Sequence, residues 1–336
     1  MAVTLRDVAE ATGVSMSTVS RVISDSPRIS KETKMKVRKA MNELGYHPNF
    51  IARSLVNQST NVVGVVFPSS GNTAFQNPFF TEVLRAISEG AHDHKYGIQL
   101  TTGKTEEEIL QDVTAMVQGK RVDGIVMLYT RVDDPIIQFL LNQHFPFVVI
   151  GQPPSENEAV TYIDNDNLRA SAEATEKLLA LGYKRIAFVG SKDNLTVTVT
   201  RLAGYKEALK NAGVACDEAL IMFDDFSVEG ANNVVSTLLN LSEPPDAILA
   251  EDDLVALGIL KTLNKKGVQI PTDMAILGFN NTFFSELSNP PLSSVDIHIF
   301  DLGFQALTQL IKQIKDKSTP HQRILVEHTL IMRDSC

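Results

Sequence analysis

Apolar positions recur at helical spacing in three short runs over the first 44 residues, with turn signals between them. In the first run Leu5, Val8 and Ala9 share a face, Thr4 stands at an N-cap position, and Asp7 follows three residues later as in a capping box. Gly13 breaks the run, and Ser15 is placed to cap a second helix, Met16 to Ser24, with Val19, Val22 and Ile23 directed inward. A third helix is predicted from Ser30 to Leu44 on the stripe Val37, Ala40, Met41 and Leu44, ended by Gly45. After Pro48 comes a segment of about two helical turns bearing Ile51, Leu55 and Val56, too short to hold a helix in water without a partner.

From Asn61 the pattern changes to short apolar runs alternating with amphipathic stretches. A buried-strand run at 61–68 precedes a helix from about Pro78 to His94 and a strand at 97–102. Further runs at 124–128, 147–150, 185–189, 247–250 and 274–277 are each followed by ten or more helix-compatible residues. Continuous apolar strands between helices imply parallel sheets covered on both faces. The 276 residues of this region favour two doubly wound lobes over one sheet. The expected organisation is an all-α helix-turn-helix headpiece at 1–47, a hinge helix and linker at 48–60, and an α/β core at 61–336, with no internal repeat standing out.

Charge sharpens this division. Residues 1–60 hold nine Lys+Arg against five Asp+Glu, a balance of +4, while the remainder carries −13 of the overall −9. A basic head on an acidic body suits a module that reads double-stranded DNA. In a helix-turn-helix the second helix presents its N-terminal side chains to base edges. Here these are Ser15, Met16, Ser17, Ser20 and, one turn on, Arg21, while Ser17, Thr18 and Ser20 fit phosphate contacts equally well. Arg21 is the residue of that helix able to pair bidentately with guanine, and Met16 offers an apolar contact for a thymine methyl. Lys31, Lys34, Lys36, Arg38 and Lys39 fit phosphate contacts or an ordinary solvated face equally well.

Catalytic chemistry has no comparable support. The chain lacks a Gly-x-Gly-x-x-Gly after a strand, a phosphate-binding glycine-lysine loop, a Gly-x-Ser-x-Gly elbow and a His-Glu-x-x-His. His92 and His94, two apart on a helix, do not share a face, and seven scattered histidines with two cysteines form no zinc constellation. Asp164-Asn165-Asp166 lacks the glycine and glutamate of a calcium loop and reads as a turn into a helix at 167–182. No enzyme activity, metal or cofactor is expected. Cys216 and Cys336 form no disulfide framework, and with neither a leader nor a long apolar span the expected location is the cytosol, away from membrane.

Thr4–Ala9, Gly13-Val14-Ser15, Ser17–Val22 and Gly45–Asn49 together resemble, collinearly, the lactose/galactose repressor family of bacterial regulators. That resemblance implies that a homodimer reads operator half-sites, with Thr4 among the contacting residues. It also implies that the hinge helix orders on the operator and inserts Leu55 into the minor groove, with Asn49, Ala52 and Arg53 alongside. The core resembles the family's sugar-binding core and periplasmic sugar-binding proteins through Asn77–Phe80, Asp123–Ile125, Arg201–Tyr205, Asp252–Gly258 and Gly278–Asn281. The family core crosses three times between lobes, expected near 161–164, 290–294 and 318–324. The N-lobe would then span 61–161 and 293–320, and the C-lobe 162–291 and 322–336.

The resemblance places Arg201 and Asp252 at effector-contacting positions, with Phe79 and Asn280 as further candidates. Asn280 stands where lactose-type members have aspartate. Helix capping competes as an explanation for Asp252 and more so for Asp253, and a structural ion pair for Arg201. Phe67, Phe75, Phe79 and Phe279 are read as sugar-stacking faces or as core. Residues 250–254 and 278–281 look most like maltose-type regulators. The implied function is a repressor of carbohydrate-utilisation genes whose operator affinity a sugar changes. The alternatives are a catabolite-control regulator answering to a phosphorylated carrier protein and, in another class, a sugar-binding sensor or enzyme core.

Overall fold

The computed structural model describes residues 3–46, 59–68, 75–153, 159–191, 195–224 and 228–336, and divides into two units, Met1–Thr60 and Asn61–Cys336. The hinge positions Asn49, Ala52, Arg53 and Leu55 lie outside the described residues.

The first unit holds α1 (Leu5–Thr12), α2 (Met16–Ile23) and α3 (Lys31–Leu44). The capping box at the head of α1 is present in both directions: the Thr4 side chain accepts from the Asp7 amide, and the Asp7 carboxylate accepts from the Thr4 amide at 2.7 Å. Gly13 ends α1 in the left-handed region at φ 65°, which glycine enters without the Cβ penalty. Val8, Ala9, Val19, Val22 and Val37 form its small core, with Leu5, Ile23 and Met41 partly buried around it. Leu44, expected on the apolar stripe of α3, is exposed, because the partners on α1 and α2 reach only the middle of that longer helix.

The second unit contains two six-stranded sheets among the described residues. The first joins β1 (Val62–Val66), β2 (Gly97–Leu100), β3 (Gly124–Met127), β4 (Phe147–Ile150), β5 (Thr161–Asp164) and β11 (Arg323–Leu325) in the order β11-β5-β4-β3-β1-β2, all parallel. The second joins β6 (Ile186–Ser191), β7 (Ile221–Asp224), β8 (Ala247–Ala250), β9 (Ala275–Phe279), β10 (Ser293–Asp296) and β12 (Thr329–Ile331) in the order β12-β10-β9-β8-β6-β7, with β12 antiparallel. Each sheet thus repeats the 2-1-3-4-5 order of a doubly wound lobe and adds one late strand. The duplication is topological and leaves no repeat in the sequence.

Helices α4 (Pro78–His94), α5 (Glu106–Gln118) and α6 (Pro135–Asn142) belong to the first lobe. α7 (Asn167–Ala180), α8 (Thr196–Asn211), α9 (Val228–Leu239), α10 (Asp253–Lys265) and α11 (Phe283–Leu287) belong to the second, and α12 (Ile299–Lys315) returns to pack on α4 and the first sheet. The crossings fall a few residues from where they are expected. β5 and β11 are first-lobe strands and β10 is a second-lobe strand, so the chain changes lobe at 165–166, 297–298 and 326–328. Strands of three or four residues with a high polar content, such as Ser293–Asp296, lack the apolar run that marks the longer ones, so the expected crossings overlap them.

Candidate DNA-reading helix and effector pocket

α2 begins with Ser15 accepting from the Thr18 amide, and the Ser15 hydroxyl also meets Ser17 Oγ at 2.8 Å and Thr18 Oγ1 at 2.9 Å. Val19 and Val22 anchor the opposite face of the helix. Met16 is 54% exposed, and Ser17, Ser20 and Arg21 are also exposed, so the face expected to meet base edges carries the candidate side chains. Of the basic cluster, Lys34 and Arg38 pair with Asp25 at 3.0 and 2.7 Å, and these cations hold the Asp25 carboxyl below its usual range. Lys39 pairs loosely with Glu43 at 3.7 Å. The exposed Arg38 and Lys39 pairs contribute little stability and remain open to exchange for phosphate, whereas Lys34 is largely buried and also donates to the Asp25 carbonyl at 3.0 Å.

In the core unit Phe79, Arg201, Asp252 and Asn280 line one cavity of about 140 Å³. Its walls follow the carboxyl ends of strands from both lobes: Pro68 beyond β1, Leu128 to Thr130 beyond β3, Gly151 beyond β4, Asp252 beyond β8 and Asn280 beyond β9. This is where open α/β sheets bind ligands.

Arg201 is buried on α8 and laid over the Phe279 ring, its guanidinium carbon 4.1 Å from the centroid. It donates through Nε to Asn167 Oδ1 at 2.8 Å and through Nη1 to the Glu251 carbonyl. Its setting depends on Gly204 one turn on, where a Cβ would come within 2.1 Å of the Leu168 carbonyl oxygen, so glycine lets α8 close onto α7. The ion-pair alternative for Arg201 resolves into charge proximity to Glu251, Asp252 and Asp164 without a direct carboxylate hydrogen bond among the described residues.

The capping role expected of Asp253 falls instead to Asp252, which also lines the cavity. Asp252, not Asp253, caps α10, through Oδ1 to the Leu254 amide at 2.6 Å. Its Oδ2 accepts from Asn280 Nδ2 at 2.8 Å and, across the cleft, from Asn77 Nδ2 at 3.0 Å. Asp253 is fully buried under the pocket wall, accepting from the Ser294 hydroxyl and the Thr282 amide at 2.7 Å each and from the Ser285 hydroxyl. Adjacent aspartates after a strand both fit a cap from sequence, and a one-residue shift in the helix start decides between them. Asn280 has a backbone reason as well as a polar one: its φ is 100°, a region where asparagine is among the tolerated residues.

Phe79 lines the cavity and packs edge-on against Phe80 at 5.1 Å. Phe67 and Phe279 are core, and the exposed Phe75 leans on Phe67 at 5.2 Å. Sequence reasoning did not identify Asn77, Thr130, Asp164, Asn167, Thr196 and Glu251 as pocket side chains, though all six line the cavity. Asn77 entered the sequence reading only within the run Asn77–Phe80, and its place before Pro78 is the signal that marks it as the cap of α4; the rest are polar residues at or beyond strand ends or in a helix's first turn, without a spacing signature.

Burial pushes the Asp164 carboxyl up to about 6 against the opposing pull of the Asn165 and Gln152 amides. It pushes Glu251 up to about 7 against Thr198 and Arg201, and Asp252 up against its amide donors. Three carboxyls and one guanidinium thus line the cavity among a larger number of apolar side chains.

Residues 4–49 match the model of bacterial regulatory proteins of the lacI family, and residues 175–336 match that of a periplasmic binding protein-like domain. The HTH-type transcriptional regulator MalR of Streptococcus pneumoniae is 41% identical over 98% of this chain and 99% of its own length. The chain belongs to the LacI family. Its similarity extends to solved structures of the family. A transcriptional regulator CelR in complex with cellobiose is 32% identical, with a TM-score of 0.77 over 99% of this chain and all of that one. A Staphylococcus protein named as a probable maltose operon transcriptional repressor is 29% identical, with a TM-score of 0.76 over 82% of this chain and 98% of that one. As a LacI-family member the chain is a transcriptional regulator and not an enzyme, with the helix-turn-helix and two-lobed core already described.

Proposed function

We propose that this regulator is a cytoplasmic, homodimeric repressor of carbohydrate-utilisation genes that leaves its operator when an unphosphorylated sugar of the maltose or maltodextrin type fills the cleft. The carrying observation is the convergence of Phe79, Arg201, Asp252 and Asn280 on one interlobe cavity in a chain that matches MalR along its length. An apolar wall with a few convergent polar groups is the ordinary make-up of a sugar site, the ring stacking on Phe79 and hydroxyls pairing with the amides and Arg201. The surplus of carboxyls over the single arginine opposes a phosphate dianion, which favours the neutral sugar.

Base readout falls to Ser15, Met16, Ser17, Thr18, Ser20 and Arg21, with Thr4 on the backbone and Asn49, Ala52, Arg53 and Leu55 at the hinge. On α11, Phe283, Phe284 and Leu287 are 71%, 53% and 63% exposed, an apolar surface suited to a second copy. No helix among the described residues is long and apolar enough to cross a membrane.

Operator selection from random duplexes, repeated with maltose, maltotriose and a hexose phosphate, tests this. A near-palindrome lost on adding maltose or maltotriose, and kept with the phosphate, is expected. A palindrome indifferent to every sugar contradicts the effector assignment and favours a protein coregulator.

A further inference from the structure

We propose that Asn165 is the positioning residue that makes the three lobe crossings move as one. Asn165 sits in the first crossing, 4% exposed, and lines the cavity. Its carboxamide nitrogen donates to the Ile297 carbonyl in the second crossing at 3.1 Å and to the Val326 carbonyl in the third at 2.9 Å, with Glu327 at 3.4 Å. One side chain therefore spans all three chain segments between the lobes.

The pocket connects to this joint through a short polar chain. Arg201 Nε donates to Asn167 Oδ1, and Asn167 Nδ2 donates to Asp164 Oδ1 at 2.9 Å. The Asn165 amide donates to that same Asp164 oxygen at 2.8 Å, and the Asn167 amide donates to the Asn165 carbonyl at 2.9 Å. The Asp164 carbonyl in turn accepts from the Val326 amide at 2.8 Å. A ligand that shifts the Arg201 guanidinium acts on the first crossing, and Asn165 carries that shift to the other two. Without it the crossings would rotate separately, and a lobe closure of given energy would transmit less of its bias.

The effector half of this inference rests on the sugar-binding reading above, while the hinge half does not, and the test separates them. Hydrogen exchange in the sugar-free, full-length protein is measured at 164–167, 296–299 and 326–329 for wild type, Asn165→Ala and Asn165→Asp. Loss of the shared donor is expected to raise exchange in all three segments together, by about fivefold or more. Asn165→Asp, which turns an acceptor toward two carbonyls, should raise it further. If that variant does not fold by circular dichroism, Asn165→Ala is read alone. A rise confined to 164–167 overturns the proposal. In the second arm, the factor by which maltose weakens operator binding is expected to fall about tenfold in Asn165→Ala. An unchanged factor overturns the coupling role, and a wild type that ignores maltose counts against the sugar reading while leaving the exchange result to decide the hinge.

Discussion

The headpiece and the core solve opposite problems with their polar side chains. In the headpiece the candidate reading residues are neighbours in sequence, exposed, and held by a core of five small apolar residues. In the core the candidate effector residues come from positions 77 to 280, are mostly buried, and are assembled by two sheets and three crossings. A groove-reading surface must be presented to a large external partner, whereas a small neutral ligand must be surrounded. Substitution should therefore act locally and separably in the headpiece, and cooperatively in the core.

The largest expected effect breaks that comparison most cleanly. Arg201→Ala removes a buried guanidinium together with the donors to Asn167 and Glu251, and maltose affinity should fall by about 100-fold, while the sugar-free protein still selects the operator. Calorimetric titration checks this; a normal maltose response would move the site elsewhere. In the headpiece Arg21→Ala should cost about 1–3 kcal/mol of operator affinity and relax preference at a single base pair. Repeating the selection with the variant reads both effects, and an unchanged base preference would assign that contact to another residue.

A smaller effect belongs to the core alone. The Asp164, Asp253 and Glu251 carboxyls are raised to about 6, about 6 and about 7 by burial. For an acid raised on folding, the stabilising contribution is present at low pH and lost as pH climbs through the folded value. The core transition in calorimetry should accordingly lie a few degrees higher at about pH 5.5 than at about pH 8, and Glu251→Gln should flatten that dependence. A transition that rises toward pH 8 would contradict the assignment. The smallest effect is Thr4→Ala, which opens the capping box and should destabilise the headpiece by about 1 kcal/mol, seen as an earlier headpiece transition with the core transition unmoved.

The same contrast explains what was legible in the sequence. Helix starts at Thr4 and Ser15 and the stop at Gly13 are encoded in the residues that perform them, so the headpiece could be read almost as it stands. The long strands and α4 were equally plain from their apolar runs. The short strands β5, β10 and β11 were not, because three or four residues with polar members carry no period and are defined by the neighbour they pair with. Resemblance supplied Arg201, Asp252 and the position of Asn280, and the flat aromatic ring supplied Phe79; all four line one cavity. Asn77, Asn165 and Asn167 were not identified as pocket residues, since an amide's role depends on which donor and acceptor the fold brings to it.

Release of the operator by sugar, as proposed, requires that the cleft and the operator-reading helix be coupled, and coupling is reciprocal: the factor by which sugar weakens operator binding must equal the factor by which operator weakens sugar binding. Titrating maltose into the full-length protein with and without the selected operator measures it directly. The prediction is a lower maltose affinity on the operator, by the same factor that maltose imposes on operator binding. Equal maltose affinity in the two titrations would contradict it.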